Sequence, residues 1–212
     1  MDSEVARRMA WSSRLFETRV WPMCRKSLGG GELMRMEGRP DTQLAKELDM
    51  RAGIDGWHLH SDGMRGIASR VQIGHDWRTF TIRMSRESGV ATEYEKRQRS
   101  LADGRGWICP AVTIQAYAAT EDGPVLSVGI ARTADVIAYI AAGLHTLNRV
   151  ADAIFAVCPW GAMRNAGYHV KIVTGEQAAP APPPPAAPVP AVAPQPPRFV
   201  HPLSTGNDEM PF

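Results

Sequence analysis

An α+β domain followed by a proline-rich tail is the architecture the sequence predicts, on three observations. Apolar residues alternate through 54–85 and 111–131; they recur at helical spacing in 5–19 and 133–154; and ten prolines crowd residues 180–197 with no charged residue among them. Alternation is the signature of a strand and a period near 3.6 that of a helix. Proline lacks a backbone donor and has a fixed φ, so the last run fits neither and reads as an extended spacer. The expected order is helix, three strands, helix, two strands, helix, in one domain over 1–176 with a single five-stranded mixed or antiparallel sheet. A disordered Pro/Ala-rich linker, 177–206, and a short tip, 207–212, follow it.

Taken in order, residues 5–19 form an amphipathic helix that Trp21-Pro22 ends. Gly29-Gly30-Gly31 is a turn without the GxxxxGK[ST] spacing of a phosphate loop. Asp41 caps a helix through Met50, with Leu44, Ala45 and Leu48 on one side, and Gly53 ends it. Strands are expected at 54–60, 64–73 and 79–85, joined by turns at Ser61-Asp62-Gly63 and Gly74-His75-Asp76 into a three-stranded meander. A charged helix occupies 92–101, where Glu93 and Arg97 pair at i,i+4. Strands at 111–118 and 125–131 flank the Glu121-Asp122-Gly123-Pro124 turn. Thr133 opens a final helical stretch to Ile154, whole or broken near Gly143.

Composition narrows the function classes. With 44% hydrophobic and 22% charged residues the mixture is globular rather than disordered. No apolar run approaches the ~20 residues of a membrane span, and the first residues lack the basic-then-apolar plan of a signal peptide, so a cytosolic, nucleoid-associated protein without a membrane partner is expected. Cys24, Cys109 and Cys158 are odd in number and widely spaced, which suggests neither a disulfide framework nor a zinc knuckle. A net charge of +2 exerts no global pull on nucleic acid, so such binding must rest on a local patch. Homo-oligomerisation is left open.

Strand alternation places Arg70, Gln72, Thr81, Arg83, Gln115 and Tyr117 on one polar sheet face, opposite an apolar face carrying Ile67, Val71, Ile82 and Ile114. Arginines that track phosphates beside a ring that stacks a base would suit single-stranded DNA; an ordinary solvated face is the alternative. His58 and His60 alternate around Leu59 but have no third ligand at suitable spacing, so they read as solvent-facing. Trp57, Trp77 and Trp107 read as base-stacking rings or as partly buried core.

The last residues, Asp208, Glu209, Met210, Pro211 and Phe212, behind that linker, resemble the C-terminal tails of bacterial single-stranded DNA-binding proteins (SSB). That resemblance covers only the tail and implies a tip that recruits replication and repair proteins, and a chain of DNA metabolism, from a mobile element or its host. The helix-strand-strand-strand-helix-strand order resembles the PD-(D/E)XK nucleases, with a five-stranded OB barrel as the alternative. The nuclease resemblance implies Mg²⁺ held at Asp55. Ala68 and Arg70 stand where that family has its acidic residue and lysine, leaving Gln72, Asp49 or Glu32 to complete a site. Three functions are therefore weighed: single-stranded DNA binding with partner recruitment, a Mg²⁺-dependent nuclease whether intact or degenerate, and a decoy for proteins that bind SSB tails. Whether the chain is an enzyme stays open at this level.

Overall fold

Three helical segments run end to end at the N-terminus: α1 (Ser3–Leu15), a π-helical turn (Phe16–Val20) and α2 (Trp21–Ser27). The computed structural model describes residues 3–36, 53–87, 89–102 and 109–175. Pro22 does not end the helix. It follows directly on the π-helical turn, whose wider i→i+5 bonding carries the chain past it into α2. Trp11, Leu15, Phe16, Val20, Trp21 and Cys24 are the buried stripe. Gly29, Gly30 and Gly31 then turn the chain, all with φ near +90°. At Gly31 a side chain would strike the Leu59 carbonyl and the His58 ring, so only glycine admits this approach.

Among the described residues nine strands follow, separated by three further helices. They are β1 (Glu32–Arg35), β2 (Gly56–His60), β3 (Gly63–Ile73), β4 (Thr79–Arg86), β5 (Val112–Ala118), β6 (Val125–Arg132), β7 (Thr146–Val150), β8 (Ala153–Pro159) and β9 (Val170–Thr174). α3 (Glu93–Ala102) lies between β4 and β5, α4 (Thr133–Ala141) after β6, and α5 (Trp160–Asn165) after β8. A six-stranded mixed sheet has the order β1-β2-β3-β5-β6-β9, in which β3 and β5 are the parallel pair, and a second, antiparallel sheet has the order β4-β8-β7.

The N-terminal helices cover one face of the larger sheet through Phe16 and Val20 against Ile67, Ile114 and Val128. The second sheet, α4 and α5 cover the other, where Phe80, Ile82, Val136, Trp160 and Met163 meet Tyr117. β5 lies between these layers and all seven of its residues are buried. Trp160 packs so close to β6 that a Cβ at Gly129 would lie 2.2 Å from its indole.

The class is α+β, as expected, but the layout differs in three ways. The meander is β1-β2-β3, one strand earlier than the sequence suggests, because β1 is only four residues long and gives too short an alternation to detect. The strand expected beside β3 pairs instead with β8, from Thr79↔Pro159 to Arg86↔Ala153, while β5 takes the place next to β3. The described residues consequently form two sheets, not one of five strands. Third, the final helix stops at Ala141. Gly143 has φ +71°, its N–H donates to Ile140 O, and Leu144 N–H donates to Tyr139 O, a Schellman closure that outweighs the helical spacing of the leucines beyond it. Residues 146–159 form a hairpin instead. The helix expected at Asp41–Met50, Trp107, the linker and the tip lie outside the described residues.

Candidate nucleic-acid interface

The six polar residues expected on one face are brought together, but as an internal seam between the two sheets. Gln115 is its centre. Its Oε1 accepts from the Thr81 backbone N–H at 2.8 Å and the Thr81 hydroxyl at 3.2 Å, and its Nε2 donates to Gln72 Oε1 at 3.1 Å and to the Tyr117 hydroxyl at 2.9 Å. The Tyr117 hydroxyl donates to Thr79 O at 3.0 Å. Arg70 donates to Thr81 Oγ1 and to Glu93 Oε2, each at 3.0 Å, and the backbone N–H of Arg83 donates to the same carboxylate oxygen at 3.2 Å. Both guanidinium groups lie over the Phe155 ring, at 5.5 and 5.3 Å.

This corrects the expectation of an open face. Tyr117 is fully buried and Gln115 is 1% exposed, so neither can meet a base from solution. The cause is β4, which leaves the larger sheet and covers the polar face instead of extending it. Burial works against ionisation of Glu93, but the charges of Arg70, Arg97 and Lys96 together outweigh it and hold the carboxyl below the usual carboxylate range.

Asp55, just before β2, uses its carboxylate on Ser69: Oδ2 accepts from the Ser69 backbone N–H and lies 3.3 Å from its hydroxyl. The same hydroxyl accepts from Arg35 Nη1 at 2.9 Å, while Arg35 Nη2 donates to Ser13 Oγ at 3.2 Å. Arg35 is 8% exposed, its Nε is 3.6 Å from Glu17 Oε1, and its guanidinium lies 5.0 Å over Phe16. Arg70 and Gln72 alternate away from Ser69 toward the second sheet, so they do not join Asp55. The atoms shown around Asp55 are an amide, a hydroxyl and, through that hydroxyl, a guanidinium. Among the described residues no three His, Cys, Asp or Glu side chains are grouped to hold a metal. Asp49 lies outside them, and Glu32 is on β1. Sequence reasoning missed Arg35 and Ser69, because nothing in their spacing signals contact before β1 is recognised.

The histidines are not both solvent-facing. His58 is fully buried, with Nε2 2.7 Å from Gly30 O, and its ring meets Trp21 edge-on. His60 is partly exposed, bonding Asp62 through Nδ1 and Gly29 O through Nε2 at 3.0 Å. The Asp62 hydrogen bond, helped by Gly29, raises its pKa. Both imidazoles therefore hold the triple-glycine turn.

The open surface lies at the end of β3. A cleft of about 580 Å³ is lined by Arg7, Arg8 and Trp11 of α1, by Gln72 and Ile73, and by Trp77 of the β3–β4 loop. A smaller depression of about 200 Å³ beside it is lined by Arg14, Thr18 and Arg19. Trp11 donates to Glu121 O at 2.8 Å and Arg19 to Asp122 O at 2.7 Å, which fastens the β5–β6 turn to the helix. No helix among the described residues is long and apolar enough to cross a membrane. No protein family, curated protein or solved structure matches the chain.

Proposed function

We propose that the protein binds DNA on its α+β domain and recruits replication, recombination or repair proteins through its C-terminal tip. The observation that carries this reading is the open cleft with Arg7 and Arg8 on its rim and Arg14 further along the same helix, since clustered arginines beside an aromatic wall are the chemistry that holds a phosphate backbone. The Asp208–Phe212 ending supports the recruiting half. The reading contains no cleavage step; a Mg²⁺-dependent nuclease with Asp55 as a metal ligand is the alternative that the assay below separates from it.

An electrophoretic shift of single- and double-stranded DNA by the full chain, with and without Mg²⁺, tests it. A shift without loss of DNA length is expected. Cleavage would reinstate a nuclease. Absence of any shift at micromolar protein would overturn the DNA reading; if the tip still captured replication proteins, a decoy would be left.

A further inference from the structure

We propose that the cleft beside Trp77 seats an unpaired base of single-stranded DNA, stacked on the indole, with the flanking phosphates on Arg7 and Arg8. The inference rests on the DNA-binding reading above and names its site and strand class. Trp77 is 65% exposed, the most exposed of the large apolar side chains described, and Ile73 next to it is 48% exposed. A solvated tryptophan on a slack loop would need no account. This loop is not slack. Asp76 accepts from Ser127 Oγ at 2.5 Å and from Arg78 Nε at 3.1 Å. Arg78 has φ +50°, a left-handed backbone that is unusual for an arginine, and its carbonyl accepts from the Trp160 N–H at 2.9 Å. His75 packs edge-on to the Trp77 ring at 4.3 Å. These hydrogen bonds and the His75 ring hold an apolar side chain out in water at the mouth of a cleft, where burial alone would fold it in.

The walls indicate what the ring receives. The cleft volume falls within the roughly 300–1,000 Å³ of small-ligand sites, so it has room for a nucleotide. Arg7 pairs with Glu121, which also lines the cleft, at 3.2 Å, and with the side chains 55% and 38% exposed the pair is a weak, solvated one. Gln72 Oε1 is engaged by Gln115, so the end of its amide left for the cleft is the NH₂, a donor for a base carbonyl. The internal seam therefore orients one wall of the cleft. A paired base offers no free π-face to an indole at the surface, whereas an unpaired one does; this selects single strands over duplex.

The test is fluorescence anisotropy of the full chain with a labelled oligothymidylate of about 12 nucleotides, an abasic strand of equal length and a duplex. Trp77→Ala should weaken oligothymidylate binding about 5- to 100-fold, Trp77→Phe should retain most of it, and neither should affect the abasic strand. Arg7→Ala/Arg8→Ala should weaken both strands and lower the salt slope by roughly 0.7 for each phosphate no longer neutralised. Circular dichroism of each variant checks folding, and Trp77, being exposed, is replaceable. DNA binding that Trp77→Ala leaves unchanged would overturn this inference and spare the DNA reading; equal dependence of duplex and single strand on Trp77 would overturn the strand assignment. Failure of wild type to bind any of the three would sink both readings.

Discussion

Gln115 of β5 and Thr81 of β4 join the two sheets: one amide oxygen accepts from both the backbone N–H and the hydroxyl of Thr81. β4 contributes this N–H to β5 because its ladder runs to β8. Replacing Gln115 by methionine keeps the volume and removes the acceptor, leaving the part-buried donors of Thr81 without this partner. A loss of about 1–3 kcal/mol is expected in urea unfolding. An unchanged midpoint would show that the seam contributes no net stability.

Glu93 closes the outer end of the seam, and its carboxyl is held below the ordinary carboxylate value in the folded protein. A depressed pKa stabilises the fold above the unfolded carboxylate value of about 4.3, and that contribution is lost as pH falls through the folded pKa. Glu93→Gln should therefore be less stable than wild type at pH 7 and show a shallower loss below about pH 4.3. Parallel acid dependence of the two urea midpoints would exclude Glu93 from acid unfolding.

Burial pushes the thiols of Cys24 and Cys158 up to about 12, and that of Cys109 upward against the opposing Arg97 charge. The thiolate is the reactive form, so the native protein should react slowly with a thiol reagent at pH 8 and all three cysteines should label once it is unfolded. Fast labelling of the native protein, located by peptide mass, would contradict the packing around that residue.

The tip can be tested without reference to the domain. Phe212 should fill an apolar pocket on a replication or repair protein while Asp208 and Glu209 face basic side chains. Deletion of Phe212 should abolish capture of such partners from bacterial lysate and leave DNA binding unchanged, with a wild-type affinity of roughly micromolar order that weakens in salt. Recovery of the same proteins with and without Phe212 would refute the hook.

Local chemistry was legible in the sequence wherever a residue's behaviour depends on its neighbours in the chain. The strands around Ile67, Ile82, Ile114 and Val128 follow from alternation, the Glu93 helix from its charge spacing, and the polar set from the parity of positions 70, 72, 81, 83, 115 and 117. Partner choice was not legible. Parity states that Gln115 and Arg70 share a face, but whether water or β4 lies against that face depends on a pairing of residues 79–86 with 153–159. Those segments are distant in sequence, and the strand that leads into the second, 146–150, carried a helical pattern that one glycine overrode. The same holds at Asp55, where Arg35 arrives from a four-residue strand, and at Trp77, whose exposure depends on Ser127 and Trp160 bracing its loop. Periodicity reports which side of an element is apolar; only packing between distant segments decides what covers the other side, because that free energy belongs to the pair and is absent from either segment alone.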